Sequence, residues 1–390
     1  MFSWGWSNRR RRVAVLTLLA GALGCPQGAA RDDDGDGDSV RRGEVELSIG
    51  AENGPDALIF SRIGGLAVDP AGRIFAADVE ANEVRVFQPD GRFAFRIGRG
   101  GQGPGDLSGP CCLALRDDGR TLWVRDGGNA RYQSFAVGDT SAAHRTFLRF
   151  AHTDINRGAP LTFDAEGNLV DIGAGTRDDE GRVPIIRYHL DSSSRVVRAD
   201  TLPEPPKDSL PVHTVTRSVG GNSVTMFVYP SYPPLALHAH SPRGEWARAV
   251  SSRYSIAWYD ADGRVLRTLE RQMVGPPLSA AERARADSQL NATAARRQIA
   301  RGEIPFGVPD RKQPLRDLFF DGEGRLWVEL YVAESEPPTA HVYSPDGRFL
   351  FTAQWPPRTA IAAGAGRDDV VYGVQRDSLD VQRIVRIRLR

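Results

Sequence analysis

From Glu44 onward the chain alternates short apolar runs with tight turns, and the alternation repeats. The clearest unit opens with Gly65-Leu66-Ala67-Val68, turns at Asp69-Pro70-Ala71-Gly72 and continues as Arg73-Ile74-Phe75-Ala76-Ala77-Asp78. Val84-Arg85-Val86-Phe87 follows, then Pro89-Asp90-Gly91 and Arg92-Phe93-Ala94-Phe95. Runs this short have strand length, and Asp-x-Gly and Pro-Asp-Gly turns supply the positive φ that tight hairpins need. Each unit therefore predicts a four-stranded antiparallel meander.

Further copies are Leu113-Ala114-Leu115 with Thr121-Leu122-Trp123-Val124, and Leu161-Thr162-Phe163 with Asn168-Leu169-Val170. Leu235-Ala236-Leu237 with Trp246-Ala247 is the fourth, Leu318-Phe319-Phe320 with Leu326-Trp327-Val328 the fifth, and Ala360-Ile361-Ala362 with Val370-Val371-Tyr372 the sixth. The landmarks Gly72, Gly119, Gly167, Gly244, Gly324 and Asp369 stand 47, 48, 77, 80 and 45 residues apart. A period near 45 with four strands per unit is that of a propeller blade. The two long intervals call for insertions. In the second, Ser279-Ala280-Ala281-Glu282 is a capping box, and Ala281 to Ala300 lacks Pro and Gly, so a helix is expected near 279–301. The first should hold an extra hairpin around Val212 to Tyr229.

A ring of blades is stable only when closed, because an open ring exposes two sheet edges. The sixth unit has three strands of its own before the sequence given ends. Glu44 to Ile49 reads as a strand without a local partner. The expected fold is all-β: a six-bladed β-propeller over 44–390, its last blade closed by the N-terminal strand, with a helical insertion.

The link Phe87-Gln88-Pro89-Asp90-Gly91-Arg92-Phe93 into Ile97-Gly98-Arg99-Gly100-Gly101-Gln102-Gly103-Pro104-Gly105-Asp106-Leu107 resembles the connector of NHL-type six-bladed propellers. The resemblance spans about 44–390 and is strongest in units one, two and five. It extends to bacterial lipoprotein-type propellers. It implies fold more than activity, because propellers host binding modules, scaffolds and enzymes alike.

The N-terminus adds an address. Arg9 to Arg12 form a basic segment, Val13 to Leu23 an apolar one too short to span a bilayer comfortably, and Ala22-Leu23-Gly24-Cys25 resembles a lipoprotein cleavage box. The expected organisation is a signal peptide at 1–24, a lipid-anchored flexible linker at 25–43 with Cys25 as the acylated residue, and the propeller beyond. The acidic, Gly-rich run Asp32 to Asp38 reads as solvated linker rather than a calcium loop, since it lacks the bidentate Glu. The formal net charge is +1, and without Arg9 to Arg12 the rest carries about −3, which argues against nucleic acid as a partner. The expected location is a periplasmic or outer-membrane surface, with the membrane engaged through the lipid.

Candidate chemistry is sparse. The residues opening the inner strands, Gly65, Cys111, Leu161, Leu235, Leu318 and Ala360, are small or apolar. They do not form the Glu, Asn and Asp metal set of gluconolactonase-like propellers. His238 and His240 share a strand face and form a weak candidate metal pair without a visible third ligand. No cofactor is expected. Cys111 and Cys112, as strand neighbours, should point to opposite faces as two separate thiols. Trp123, Trp246 and Trp327 share one blade position and read as core. The loops after the second strands offer Asp78, Glu80, Asn82, Arg125, Asp126, Asn129, Arg131, Arg253 and Tyr254 as a mixed-charge rim. A turn-capping role for Asp78 and Asp126 is the plainer alternative. The expected function is a non-catalytic binding module for a protein, peptide or glycan. The alternative is a metal-assisted hydrolase or lyase working in the central channel.

Overall fold

Among the described residues, six four-stranded antiparallel blades follow one another along the chain, and the first described strand belongs to the last of them. The computed structural model describes residues 39–390, except 117, 150–160, 173–184, 203–212, 220, 221 and 242. The expected signal peptide, Cys25 and most of the linker lie outside the described residues.

Strand β1 (Val40–Ile49) comes first. Blade one is β2 (Ile63–Val68), β3 (Ile74–Asp78), β4 (Glu83–Phe87) and β5 (Phe93–Ile97). Blade two is β6 (Pro110–Leu115), β7 (Thr121–Asp126), β8 (Arg131–Val137) and β9 (Ala142–Arg149). Blade three is β10 (Leu161–Phe163), β11 (Leu169–Ile172), β12 (Ile185–Leu190) and β13 (Val196–Leu202). A two-stranded hairpin, β14 (His213–Val219) and β15 (Asn222–Val228), precedes blade four. That blade is β16 (Ala236–His240), β17 (Trp246–Val250), β18 (Ser255–Tyr259) and β19 (Val265–Glu270). Helix α1 (Ala280–Arg296) separates it from blade five, which is β20 (Leu315–Phe320), β21 (Leu326–Leu330), β22 (Thr339–Tyr343) and β23 (Phe349–Gln354). Blade six is β24 (Thr359–Ile361), β25 (Val370–Arg376), β26 (Gln382–Leu389) and β1.

Closure follows the expected pairing and goes further. β1 runs antiparallel to β26, with Val45 opposite Ile387 and Ser48 opposite Val385. The strand begins at Val40, ahead of the expected Glu44. Its first residues pair in parallel with β23, Val40 to Thr352 and Arg42 to Gln354. One segment therefore completes blade six and also stitches it to blade five.

The Asp-x-x-Gly-Arg repeat explains how the blades are held in register. Asp69, Asp164 and Asp321 each accept, through Oδ1, the backbone N–H four residues on, closing the turn between the first two strands. Arg73 and Arg325 then donate Nε to the second carboxylate oxygen of their own Asp, at 2.6 Å. The rest of each guanidinium crosses the seam. Arg73 Nη1 donates to the Gly138 carbonyl of blade two at 2.6 Å, and Arg325 Nη2 to the Asp368 carbonyl before β25 of blade six at 2.6 Å. Alternate side chains of facing blades fill the space between. Phe75, Val86, Leu113 and Val124 join blades one and two. Ile256, Trp258, Leu318 and Val328 join four and five. Trp123, Trp246 and Trp327 are buried as expected, but they do not all share one position: Trp246 stands where blades two and five have Leu122 and Leu326, one residue ahead of Trp123 and Trp327.

The hairpin and helix pack on each other rather than extending a blade. Val228 of β15 meets Leu290, Ala294, Ile299 and Ile304. Glu282, Ala286, Leu290 and Ala294 recur at every fourth residue and form the buried stripe of α1. The capping box is present: Ser279 Oγ accepts the Glu282 N–H and Glu282 accepts the Ser279 N–H. The helix stops at Arg296, short of the expected Ala300, because Ile299 turns back to bury itself against Leu290 and Ala294.

One local expectation is corrected. Cys111 and Cys112 do not part to opposite faces. Cys112 has φ 53°, and the pairing of β6 with β7 shifts register between Cys111 and Leu113, forming a bulge. The extra residue turns both side chains together and the two Sγ atoms lie 2.7 Å apart.

Candidate functional site

The first strands of the blades surround a channel of about 590 Å³. Its wall is largely small or apolar, with Gly65, Cys112, Leu161, Leu318 and Ala360 among the lining residues. Polar exceptions include Arg116, Thr162, His238, His240, Asp317 and Arg367. In each meander the turn between the first and second strands lies on one face, here called lower. The turn between the second and third strands lies on the other face, with the connectors between blades. The hairpin and α1 interrupt two such connectors, so both insertions rise from the upper face.

At the upper end of blade five, two carboxylates stand side by side. Asp317 of β20 pairs directly with Glu329 of β21. Directly paired residues on antiparallel strands project to one face with Cβ atoms about 5 Å apart. Asp317 is open to the channel, while Glu329 is largely enclosed. Burial pushes the Glu329 carboxyl up to about 7, Arg316 at 3.0 Å pulls against that rise, and Asp317 adds to it. Asp317 is also held above the usual carboxylate range, again chiefly by the surrounding protein. Tyr331 follows at the end of β21, its phenol held above its ordinary value by burial. Its ring meets Tyr232 edge-on at 6.4 Å. Arg285 of α1 pairs with Glu334 at 2.7 Å, and Glu282 with Lys312 at 2.5 Å, so the helix N-terminus is tied down beside the same mouth. Near pH 7 this set offers a carboxyl poised between its two protonation states, a second carboxyl and a guanidinium within one patch.

The residues expected as a rim are placed differently. Asp78 and Asp126 are fully buried. Asp78 accepts from Ser61, the Arg62 N–H and the Ala81 N–H, and pairs with Arg85 at 3.3 Å. Asp126 accepts from Ser108 N–H, Asn129, Arg131 and Gln133. Both carboxylates anchor the loops that begin the blade, which is the turn-capping alternative on a larger scale. Arg131 spends its remaining donors on the carbonyls of Gln102, Gly103 and Asp106. Tyr254 is buried between blades four and five, bonded to His341 Nδ1 at 2.9 Å and Tyr343 Oη at 2.8 Å. Asn82 accepts the Gly109 N–H at 2.7 Å, and Asn129 donates to the Gly101 carbonyl at 2.9 Å. Only Arg253 and Glu80 of that set are exposed. Most of the expected rim residues thus act as struts inside the loops: Asp78, Asp126 and Asn82 accept backbone N–H groups, while Arg131 and Asn129 donate to backbone carbonyls.

Arg125 is the largest departure. It points away from the rim into the seam between blades two and three, where it forms a fully buried pair with Asp171 that also engages the Tyr132 hydroxyl. Its Nη1 lies 3.3 Å from Cys112 Sγ. Asp171 carried no sequence signal, since it stands where other blades have Ala76 or Val124.

His238 and His240 do share a face of β16 and both line the channel. His240 is stacked on Trp246 with a centroid distance of 6.3 Å, and Trp246 on Tyr259 at 4.0 Å, so the imidazole is the last ring of a cross-strand ladder. Burial presses its pKa down to about 3 and keeps it neutral. Among the described residues no three His, Cys, Asp or Glu side chains converge to hold a metal ion. Asp317 and Glu329 were missed at the sequence level because they flank the repeated phrase from Leu318 to Val328 and lie twelve residues apart along the chain. The one legible hint was Asp317, a charge at the strand position where blades one and two have Gly65 and Cys111.

No family model matches the chain, and no curated protein matches it. Solved structures do resemble it in outline. A Bacteroides fragilis protein provisionally named as exported shares 12% identity over 89% of this chain and 95% of its own, with a TM-score of 0.48. The WD40 repeats of RRP9 share 13% over 87% and 96%, with a TM-score of 0.47. Virginiamycin B lyase from Staphylococcus aureus shares 10% over 88% of each chain, with a TM-score of 0.42. At such identity and TM-scores the likeness is one of outline, and the β-propeller fold rests on the succession of four-stranded sheets and their closure by β1.

Proposed function

We propose that this chain is an exported, lipid-anchored propeller of NHL type that acts as a binding module, seating a polar ligand at the upper mouth of its channel. The observation that carries the reading is the cross-strand pair of Asp317 and Glu329 beside Arg316. A carboxyl with its pKa at about 7 can donate in one protonation state and accept in the other, its neighbour adds further acceptor oxygens, and the guanidinium donates. That mixture suits hydroxyl-rich ligands, so a glycan is the first class to test, ahead of a protein or peptide. Tyr331 and Tyr232 add ring surface of the kind that packs against sugar faces. Nucleic acid does not suit a patch with two carboxylates.

Calorimetric titration of the protein with neutral oligosaccharides, and with peptides in parallel, tests the site. Glycan binding that is weakened by Asp317→Asn and by Glu329→Gln is the expected result. Binding unchanged in both variants would remove the site, and binding of peptides alone would remove the glycan. Anchorage is tested separately: Cys25→Ser should move the protein from the membrane fraction to the soluble one, and unchanged partitioning would refute the lipid.

The alternative of a metal-assisted hydrolase or lyase has His238 and Asp317, both on the channel wall, in its favour. Stoichiometric zinc or calcium by elemental analysis, together with its loss in His238→Ala, would favour that reading over simple binding.

A further inference from the structure

We propose that Cys111 and Cys112 form a redox-active vicinal dithiol on the channel wall, which closes reversibly to a ring disulfide. Three observations on one small stretch of β6 carry this. First, the bulge brings the two sulfur atoms to 2.7 Å, nearer than two non-bonded sulfurs rest without an interaction between them. An ordinary strand would have held them on opposite faces. Second, the backbone at Cys112 is already in the left-handed region, with φ 53°, a conformation that a non-glycine residue adopts at a cost of about 1–2 kcal/mol. The fold holds that conformation with a cysteine in place. Third, the pair is reachable: Cys111 is partly exposed, and Cys112 lines the channel.

The surroundings favour the reactive form. Arg125 Nη1 lies 3.3 Å from Cys112 Sγ and places a positive charge beside both sulfurs. The hydrogen bond from Cys112, opposed by burial and aided by Arg125, brings the Cys111 thiol down to about 7. A thiol with that value is substantially ionised at neutral pH, and thiolate is the attacking species in exchange.

The exchange balances with a disulfide-bearing small thiol as oxidant. Cys111 thiolate attacks one sulfur of the oxidant, forming a mixed disulfide and expelling one thiolate. Cys112 then loses its proton, attacks Cys111 Sγ and expels the second thiol. Two cysteine thiols and one disulfide become one ring disulfide and two thiols, with two electrons and two protons transferred. An exported protein meets oxidants of this class. Adjacent Cα atoms stand only about 3.8 Å apart, closer than in an ordinary bridge. The ring is therefore tight and easily reduced, as in labile rather than structural disulfides.

The test uses the full chain equilibrated in oxidised and reduced glutathione, quenched in acid, alkylated and digested with trypsin. The peptide Gly100–Arg116 carries both cysteines. The expected result is that it loses both alkylation sites together, and two hydrogens in mass, as the oxidised fraction rises, and regains them in dithiothreitol. In a second measurement, one equivalent of phenylarsine oxide, which bridges only neighbouring thiols, should shield both cysteines from alkylation. Cys112→Ser should abolish that shielding. Two alkylatable thiols persisting in fully oxidised glutathione would overturn the proposal, as would a glutathione adduct without ring closure or pairing with Cys25. The wild-type titration decides the matter even where a variant fails to fold.

Discussion

Val45 lies directly opposite Ile387 in the antiparallel pairing that closes the ring. The contact joins the first strand of the propeller to its last, so its loss is not local. Without β1, β26 would show a bare edge, and bare edges pair with other chains. Deleting residues 1–49 should give aggregated protein by size-exclusion chromatography, where the full chain runs as a discrete species. A milder probe is Gly43→Ala. Its Cβ would meet Ile387 Cγ2 at 2.6 Å and the Gln354 carbonyl at 3.1 Å. Overpacking of that kind costs about 1–3 kcal/mol, readable as a lower denaturation midpoint. A midpoint equal to wild type would show that β1 gives way freely.

The Arg125–Asp171 pair is fully buried on both sides. Removing one partner leaves an uncompensated charge in the seam, at a cost of about 3–5 kcal/mol. Arg125→Met should therefore be severely destabilised in urea, and Arg125→Met with Asp171→Leu much less so. A double variant as unstable as the single one would mean that packing, not charge, holds this seam.

Glu329 makes stability depend on pH in an uncommon direction. Folding lifts its pKa from 4.5 to about 7, so the folded chain keeps a proton that the unfolded chain releases. Its contribution is present below about pH 4.5 and fades as pH rises toward 7. His240, pressed from 6.5 to about 3, acts oppositely, and its contribution is lost as pH falls through that range. Glu329→Gln isolates the first effect. The melting temperature of the variant relative to wild type should rise between pH 4.5 and pH 7. Parallel pH profiles would place the Glu329 titration elsewhere.

Lys312 pairs with Glu282 at 2.5 Å with both side chains nearly enclosed, and donates to the Val332 carbonyl at 2.9 Å. Glu282 is also the capping residue of α1. Lys312→Met should therefore loosen the helix before the blades, at a cost of about 3–5 kcal/mol for the broken pair. Limited proteolysis should cut first within 280–296 in the variant. Cleavage at blade loops instead would show that the helix is held by its apolar stripe alone.

The blades were legible because each local choice agrees with its neighbours. The turn at Asp69 to Gly72, the alternation around Phe75 and the phrase repeated at Leu326-Trp327-Val328 all state the same meander. The helix was legible from Ser279 and Glu282, and the closing strand from Val45 and Leu47 lacking a local partner. The candidate site was much less so. Asp78, Asp126 and Tyr254 look like surface chemistry when read along the chain, yet all three are buried, the two Asp by partners from the loops and strands on either side and Tyr254 by His341 and Tyr343 of the next blade. Asp317 and Glu329 look like incidental charges until β20 and β21 set them side by side.

Turn chemistry and hydrophobic period act over a few residues, and so the sequence by itself determined that this chain makes four-stranded units, how many, and how the circle shuts. Burial, charge pairing and proton affinity depend on what comes near through space. Only the tertiary structure decided that Arg125 faces Asp171 across a seam, that a bulge turns Cys111 onto Cys112, and that burial beside Asp317 raises the proton affinity of Glu329. The reason is physical: the energy of a charge or a thiol is set by the dielectric and the partners around it, and those partners come from a bulge, from the neighbouring strand or, for Arg125, from the next blade.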